Sequence, residues 1–150
     1  MTPTRSLLKA IVAKIAADSG VAGLSTAVGG RVYLSRMVDR MAGASTAKFP
    51  YLVVEIVTDD PVGELGSKAA GETIERFRVQ FSAFDASDGN SPDTCATVKD
   101  KIVTLFDRST MDMSGDGYGT ARCVREPGGT GPRRVEQEWM ATVDYIFVFV

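Results

Sequence analysis

The residues best suited to chemistry are scattered: the 150-residue chain contains Cys95 and Cys123 as its only cysteines, and it has no histidine. Without an imidazole there is no Ser-His-Asp or Cys-His arrangement, and the commonest general base and transition-metal ligand are missing. Neither thiol belongs to a CxxC pair, and each falls on an apolar-periodic position of a predicted helix or strand. A reduced cysteine in such a place behaves as a small hydrophobe. Gly128-Gly129-Thr130-Gly131 is glycine-rich enough to cradle a phosphate, yet it lies between predicted strands instead of opening a helix, so it reads as a hairpin turn. Asp112, Asp116 and the Asp85, Asp88, Asn90 cluster lack the ligand spacing of a calcium loop and read as turn residues.

Arg122, Arg125, Arg133 and Arg134 gather near one hairpin end, a grouping that could face DNA or line a channel. Glu126, Glu136 and Glu138 are interleaved with them, which favours a solvated, self-compensated face. No catalytic residue, cofactor site or metal site emerges, and the expectation is a protein that is not an enzyme. With 17 basic and 19 acidic side chains, the net charge of -2 provides no field to hold the chain on nucleic acid or an anionic membrane.

The elements that must position these residues form one ordinary domain over 1–150. The 44% hydrophobic and 24% charged fractions are those of a globular chain, which argues against disorder or a coiled coil. No window approaches the roughly 18 apolar residues of a membrane span, and Met1 to Ser6 lead into no export signal, so a soluble, non-membrane protein is expected.

Thr2 and Pro3 read as the start of a helix whose Leu7, Leu8, Ile11, Val12 and Ile15 recur at helical period until Asp18-Ser19-Gly20. A short helical turn over 21–28 is closed by Gly29-Gly30, where positive φ is cheap. Strands are expected at 31–34, 49–58 and 72–84, and the state of 35–48 is left open. In the third strand Phe77, Val79, Phe81 and Ala83 alternate with Arg76, Arg78, Gln80 and Ser82. The segment 59–71, with Pro61, Gly63, Gly66 and Gly71, reads as a protruding loop.

Ser91-Pro92 opens a second helix with Cys95, Val98, Ile102, Leu105 and Phe106 on its buried stripe, and a loop is expected at 109–119. Strands at 120–126 and 133–150 then form a hairpin across 127–132. The fold class is α+β: a single mixed, mostly antiparallel sheet with two main helices on one face. The last strand turns apolar on its second face at Met140, Ile146, Val148 and Val150. Two helices cover one face, so this side needs another layer: either the 35–48 segment buries it within the chain, or a neighbouring subunit does, which makes Ile146, Val148 and Val150 the candidate subunit interface.

Taken together, Gly29-Gly30-Arg31-Val32-Tyr33, Phe49-Pro50-Tyr51, the Arg76-Phe77-Arg78-Val79-Gln80-Phe81 strand, a helix and a long aromatic final strand resemble the tail-terminator, or tail-completion, family of long-tailed bacteriophages. The resemblance implies an α+β subunit that assembles with itself, as a hexameric ring, on the last ring of the tail tube protein. It implies a place at the head-proximal end of the tail in the virion, after assembly in the bacterial cytoplasm. There the ring would end tube growth and present a surface to the head-tail connector, with DNA passing through its lumen without sequence-specific binding. Glu64 and Lys68, in the 59–71 loop, are the candidate contacts to tube or connector. A head-side connector or other tail component, and a small-molecule-binding α+β domain, are the alternatives.

Overall fold

The computed structural model describes residues 3–34, 49–62, 74–86, 91–135 and 137–149. Helix α1 spans Pro3–Ala17, the one-turn α2 Leu24–Ala27, and α3 Asp93–Phe106. The strands are β1 Val32–Leu34, β2 Tyr51–Val62, β3 Ile74–Ala86, β4 Thr110–Asp112, β5 Thr120–Glu126, β6 Arg133–Val135 and β7 Glu138–Phe149. They form one mixed, curled, seven-stranded sheet in the order β1-β2-β3-β7-β5-β4, with β6 also paired to β7. Only β1 with β2 is parallel. The α+β reading, with both main helices on one face, describes this architecture.

Helical periodicity sets the core. Leu7, Ile11 and Ile15 of α1, Leu24 of α2, and Cys95, Val98, Ile102 and Phe106 of α3 are all buried in one cluster with the sheet. The sheet contributes Leu52, Val54, Phe77, Val79, Phe81, Ala83, Ala121, Cys123, Ala141, Val143, Tyr145 and Phe147. Phe106 binds the layers together, with ring centroids 4.7 Å from Phe81, 6.3 Å from Tyr145 and 6.4 Å from Phe147. Burial pushes the Cys95 thiol up to about 11 and the Cys123 thiol up to about 12. Both thus sit as neutral, packed groups, poor nucleophiles at neutral pH.

Asp18, expected only as a helix stop, accepts a 2.9 Å bond from the Leu24 N–H and so ties the end of α1 to the start of α2. Gly29 and Gly30 adopt φ of 58° and 71°, a left-handed pair that turns the chain into β1. The Gly29-Gly30-Arg31-Val32-Tyr33 and Phe49-Pro50-Tyr51 strings meet here. Arg31 Nε donates to Pro50 O at 2.9 Å and its Nη2 to Phe49 O at 3.0 Å, while Leu52 N donates to Arg31 O at 3.0 Å.

Three expectations are corrected. The 59–71 loop is too long: β2 runs to Val62 and pairs Val62 with Ile74, so Asp59–Val62 belong to a strand, which carries a register shift between Ile56 and Thr58. The 109–119 loop contains β4 and a 3-10 turn over Ser114–Asp116. The hairpin does not reverse at 127–132. Glu126 stands opposite Asp144 and Arg133 opposite Met140, so 127–132 is an excursion in one arm, six residues against the three at 141–143. The chain reverses between Val135 and Glu138, which face each other, so Arg133–Val135 runs back along β7 instead of extending it. Residues 35–48, Glu64, Lys68, Glu136 and Val150 lie outside the described residues.

Candidate interface on the open face of the sheet

No described helix packs on the second face of the sheet, and the strand register shows how its side chains are arranged in rows. Tyr51, Phe84, Met140 and Arg133 stand abreast across β2, β3, β7 and β6. The following rows are Val53, Ser82 and Thr142, then Glu55, Gln80, Asp144 and Glu126. Farther along, Arg78, Ile146 and Val124 share a row, and Arg76, Val148 and Arg122 the next. The face therefore passes from aromatic, through a polar belt, to a strip of aliphatics framed by arginines.

At the aromatic end Tyr51, Val53 and Phe84 form a small buried cluster with Tyr33, Phe49 and Met140 against it. Tyr51 stacks on Phe84 at 4.9 Å with an interplanar angle of 15°, and its hydroxyl donates toward Glu138 Oε1 at 3.1 Å and Oε2 at 3.2 Å. In the belt, Asp144 is 4% exposed yet well satisfied: Arg78 Nη2 and Nε donate to Oδ2 at 2.6 and 3.0 Å, and Gln80 Nε2 to Oδ1 at 3.2 Å. A buried carboxylate persists only with such partners.

The 127–132 excursion walls this belt on one side. Thr142 N donates to Thr130 O at 3.1 Å, Thr130 N donates to Thr142 Oγ1 at 3.2 Å, and Lys99 Nζ of α3 reaches Thr130 O at 2.9 Å. A Cβ on Gly129 would sit 2.6 Å from Thr142 O, so glycine permits this close approach. Between excursion and sheet lies a cavity of about 370 Å³ lined by Glu55, Arg78, Gln80, Ser82, Thr142 and Asp144 among others.

At the far end, Ile146 and Val148 are half-buried and join neither hydrophobic cluster of the described residues. Val124, beside Ile146, is 55% exposed. The aliphatic strip is narrower than the alternation in β7 suggested, because Val148 lies between Arg76 and Arg122 and Ile146 has Arg78 on one side.

The other sequence candidates are placed as follows. Asp112 Oδ1 accepts from Ser114 N at 2.9 Å, and hydrogen bonds from Ser114 hold its carboxyl below the usual range. Asp116 Oδ2 accepts from Ser6 Oγ at 2.8 Å and Oδ1 from Lys9 Nζ at 3.3 Å, which lower it likewise. These carboxylates are turn and tether groups.

Arg122, Arg125, Arg133 and Arg134 are exposed and occupy the β5–β6 arm, and of the glutamates interleaved with them Glu136 lies outside the described residues. Glu138 is engaged by Tyr51, and none of the four arginines forms an ion pair with a described residue. No helix among the described residues is long and apolar enough to cross a membrane. No protein-family model matches the chain, and no curated protein matches it.

Proposed function

We propose that this chain is a structural subunit that forms a hexameric ring at the head-proximal end of a phage-type tail, ending tube growth and offering the connector a surface. The observation that carries the reading is the open face, on which no described helix packs. Val124, Ile146 and Val148 stay outside both hydrophobic clusters of the described residues, on a sheet whose opposite face is fully packed with helices. A second copy or a tube subunit completes such a face, and the resemblance of the GGRVY and FPY strings to tail terminators supplies the context. In this reading the ring belongs to the virion and its lumen passes DNA without reading sequence.

Native mass spectrometry of the full chain, followed by electron microscopy with purified tail tubes, tests it. Hexamers that cap tube ends are the expected result. A chain that stays monomeric at roughly tens of micromolar, a range in which standard-size interfaces associate, and leaves tubes bare overturns it. Rings that bind filled heads but not tubes would instead make it a head-side component. Deleting residues 63–70, which include Glu64 and Lys68, is expected to leave the subunit folded and impair joining of tails to heads.

A second reading has one observation in its favour, the cavity of about 370 Å³ on the polar belt, which is large enough for a small ligand. Its most buried charge is already satisfied by Arg78 and Gln80, and Thr130 and Thr142 bond each other. The cavity's polar groups thus serve the fold, and the assembly reading is the stronger one.

A further inference from the structure

The two ends of the sheet differ in charge. On one side β2, Tyr51–Val62, carries Glu55, Asp59 and Asp60 and no basic residue. Strand β1 covers only Leu52–Val54 of its outer side, so from Glu55 to Val62 no described strand pairs with that edge. On the other side the β5–β6 arm, Thr120–Val135, carries Arg122, Arg125, Arg133 and Arg134 against Glu126 alone. Strand β4 pairs with Thr120–Arg122, so the outer sides of Val124–Glu126 and Arg133–Val135 are likewise unpaired among the described strands.

Both edges leave backbone N–H and C=O groups without a partner strand among the described residues, and the arm carries arginines in register with both faces of the sheet. Asp59 is in register with core residue Phe77 and Asp60 with Arg76, while Arg125 is in register with Tyr145 and Arg122 with Val148. Arg76 and Arg78 lie one strand inward, and Arg78 is committed to Asp144. Neither Glu55 nor any of the four arm arginines has an ion-pair partner among the described residues.

We propose that the acidic outer edge of β2 in one copy docks against the basic β5–β6 arm of the next copy, so that the sheet itself supplies the two unlike surfaces of a head-to-tail contact. This inference rests on the ring reading and specifies its surfaces. A patch that meets a different patch on its neighbour repeats by rotation until it closes, which is the requirement for a cyclic assembly of identical chains. Opposite charge selects the correct pairing and rejects like edges, while unpaired strand edges provide hydrogen bonds once the edges meet. Val124, on the arm edge, and Ile146 and Val148, one strand in from it, are then approached by the incoming neighbour.

The test uses two full-length variants, E55K/D59K and R122E/R125E/R134E, examined by native mass spectrometry and sedimentation, with circular dichroism to verify folding. Each variant alone is expected to be monomeric. Mixed in equal amounts they are expected to form rings in which the variants alternate, since each reversed edge then meets a complementary one. Variants that ring alone as the wild type does, or a mixture of folded variants that stays monomeric, overturn the edge assignment while leaving the ring reading intact. A wild-type chain that never self-associates overturns both.

Should either variant fail to fold, the wild type still decides: raising salt from about 50 to 500 mM is expected to weaken ring formation by about tenfold or more. Salt-insensitive assembly would overturn the proposal. Wild-type monomers that bind duplex DNA through the arm, with ring formation unaffected by the arginine reversals, would overturn it as well.

Discussion

The two faces of this sheet use the same strands and reach stability by different means. On the covered face, alternate residues of β2, β3, β5 and β7 enter a continuous apolar layer closed by three helices, and Phe81, Phe106, Tyr145 and Phe147 interlock. Contacts there are numerous and non-directional, so volume and hydrophobicity decide them. On the open face the aromatic cluster is small, and the centre is held by a few directional contacts: Arg78 and Gln80 on Asp144, Thr130 on Thr142, Tyr51 on Glu138. A face built this way is defined in shape, yet its aliphatic end joins neither apolar cluster of the described residues. The contrast teaches that one sheet can be held by apolar volume on one side and by a few directional bonds on the other.

The largest test of the contrast is alkaline pH, because the covered face buries groups that ionise there. Burial pushes Cys95 up to about 11, Cys123 to about 12 and Tyr145 to about 12, from ordinary values of 9.0 for the thiols and 10.0 for the phenol. The raised folded-state values mean that stability from these groups is fully present below pH 9 and falls as pH climbs toward 12. The unfolded chain releases its protons first. Each group then contributes a slope of about 1.4 kcal/mol per pH unit. Urea denaturation under reducing conditions at about pH 8, 9.5 and 11 checks this linkage. A flat profile to pH 11 would mean that these side chains are wet. Next in size, Phe81→Ala opens a cavity between β3 and α3 and is expected to cost about 3–5 kcal/mol by urea denaturation at neutral pH.

The covered face was legible in the sequence because burial imposes period: 3.6 in α1 and α3, and 2 in β2, β3 and β7. Leu7, Ile11, Ile15, Val98, Ile102, Phe77, Val79 and Phe81 all lie where their spacing put them. Pairing partners carried no such period. The excursion at 127–132 reads as a hairpin turn because Pro127, Gly128, Gly129, Gly131 and Pro132 have turn chemistry, whereas the chain reverses between Val135 and Glu138, where the sequence has only a glutamate and a glutamine. Strand β4 is three residues long, too short to show alternation. The Asp144–Arg78 pair joins residues 66 apart in the chain, and only the β3–β7 register brings them together. Asp144 carries no period of its own, since it alternates with the buried Val143, Tyr145 and Phe147 of the other face. A lone carboxylate facing away from an apolar period was the available signal.

The open face responds less to substitution, and through named bonds. Asp144→Asn removes the charge that Arg78 and Gln80 hold. Because the Arg78 side chain is 41% exposed, its guanidinium regains water, and the expected loss is about 1–2 kcal/mol, well short of a fully buried pair. A loss comparable to that of Phe81→Ala would show that the belt is as enclosed as the core.

The finest distinction between the faces comes from removing one oxygen on each. Tyr51 Oη donates to the Glu138 carboxylate, while Tyr145 Oη is buried with no hydrogen-bond partner among the described residues. Deleting a bonded hydroxyl removes a net favourable contact, whereas deleting an unsatisfied one relieves a desolvation penalty. Tyr51→Phe is therefore expected to lower stability by about 1 kcal/mol and Tyr145→Phe to leave it unchanged or raise it by up to about 1 kcal/mol. Thermal and urea unfolding of the two variants read this difference of sign. Tyr145→Phe carries a further expectation, since it deletes a titrating group: the alkaline slope should become shallower above pH 10. If Tyr145→Phe destabilises as much as Tyr51→Phe, a bound water satisfies that phenol, and the covered face is not dry beneath α3.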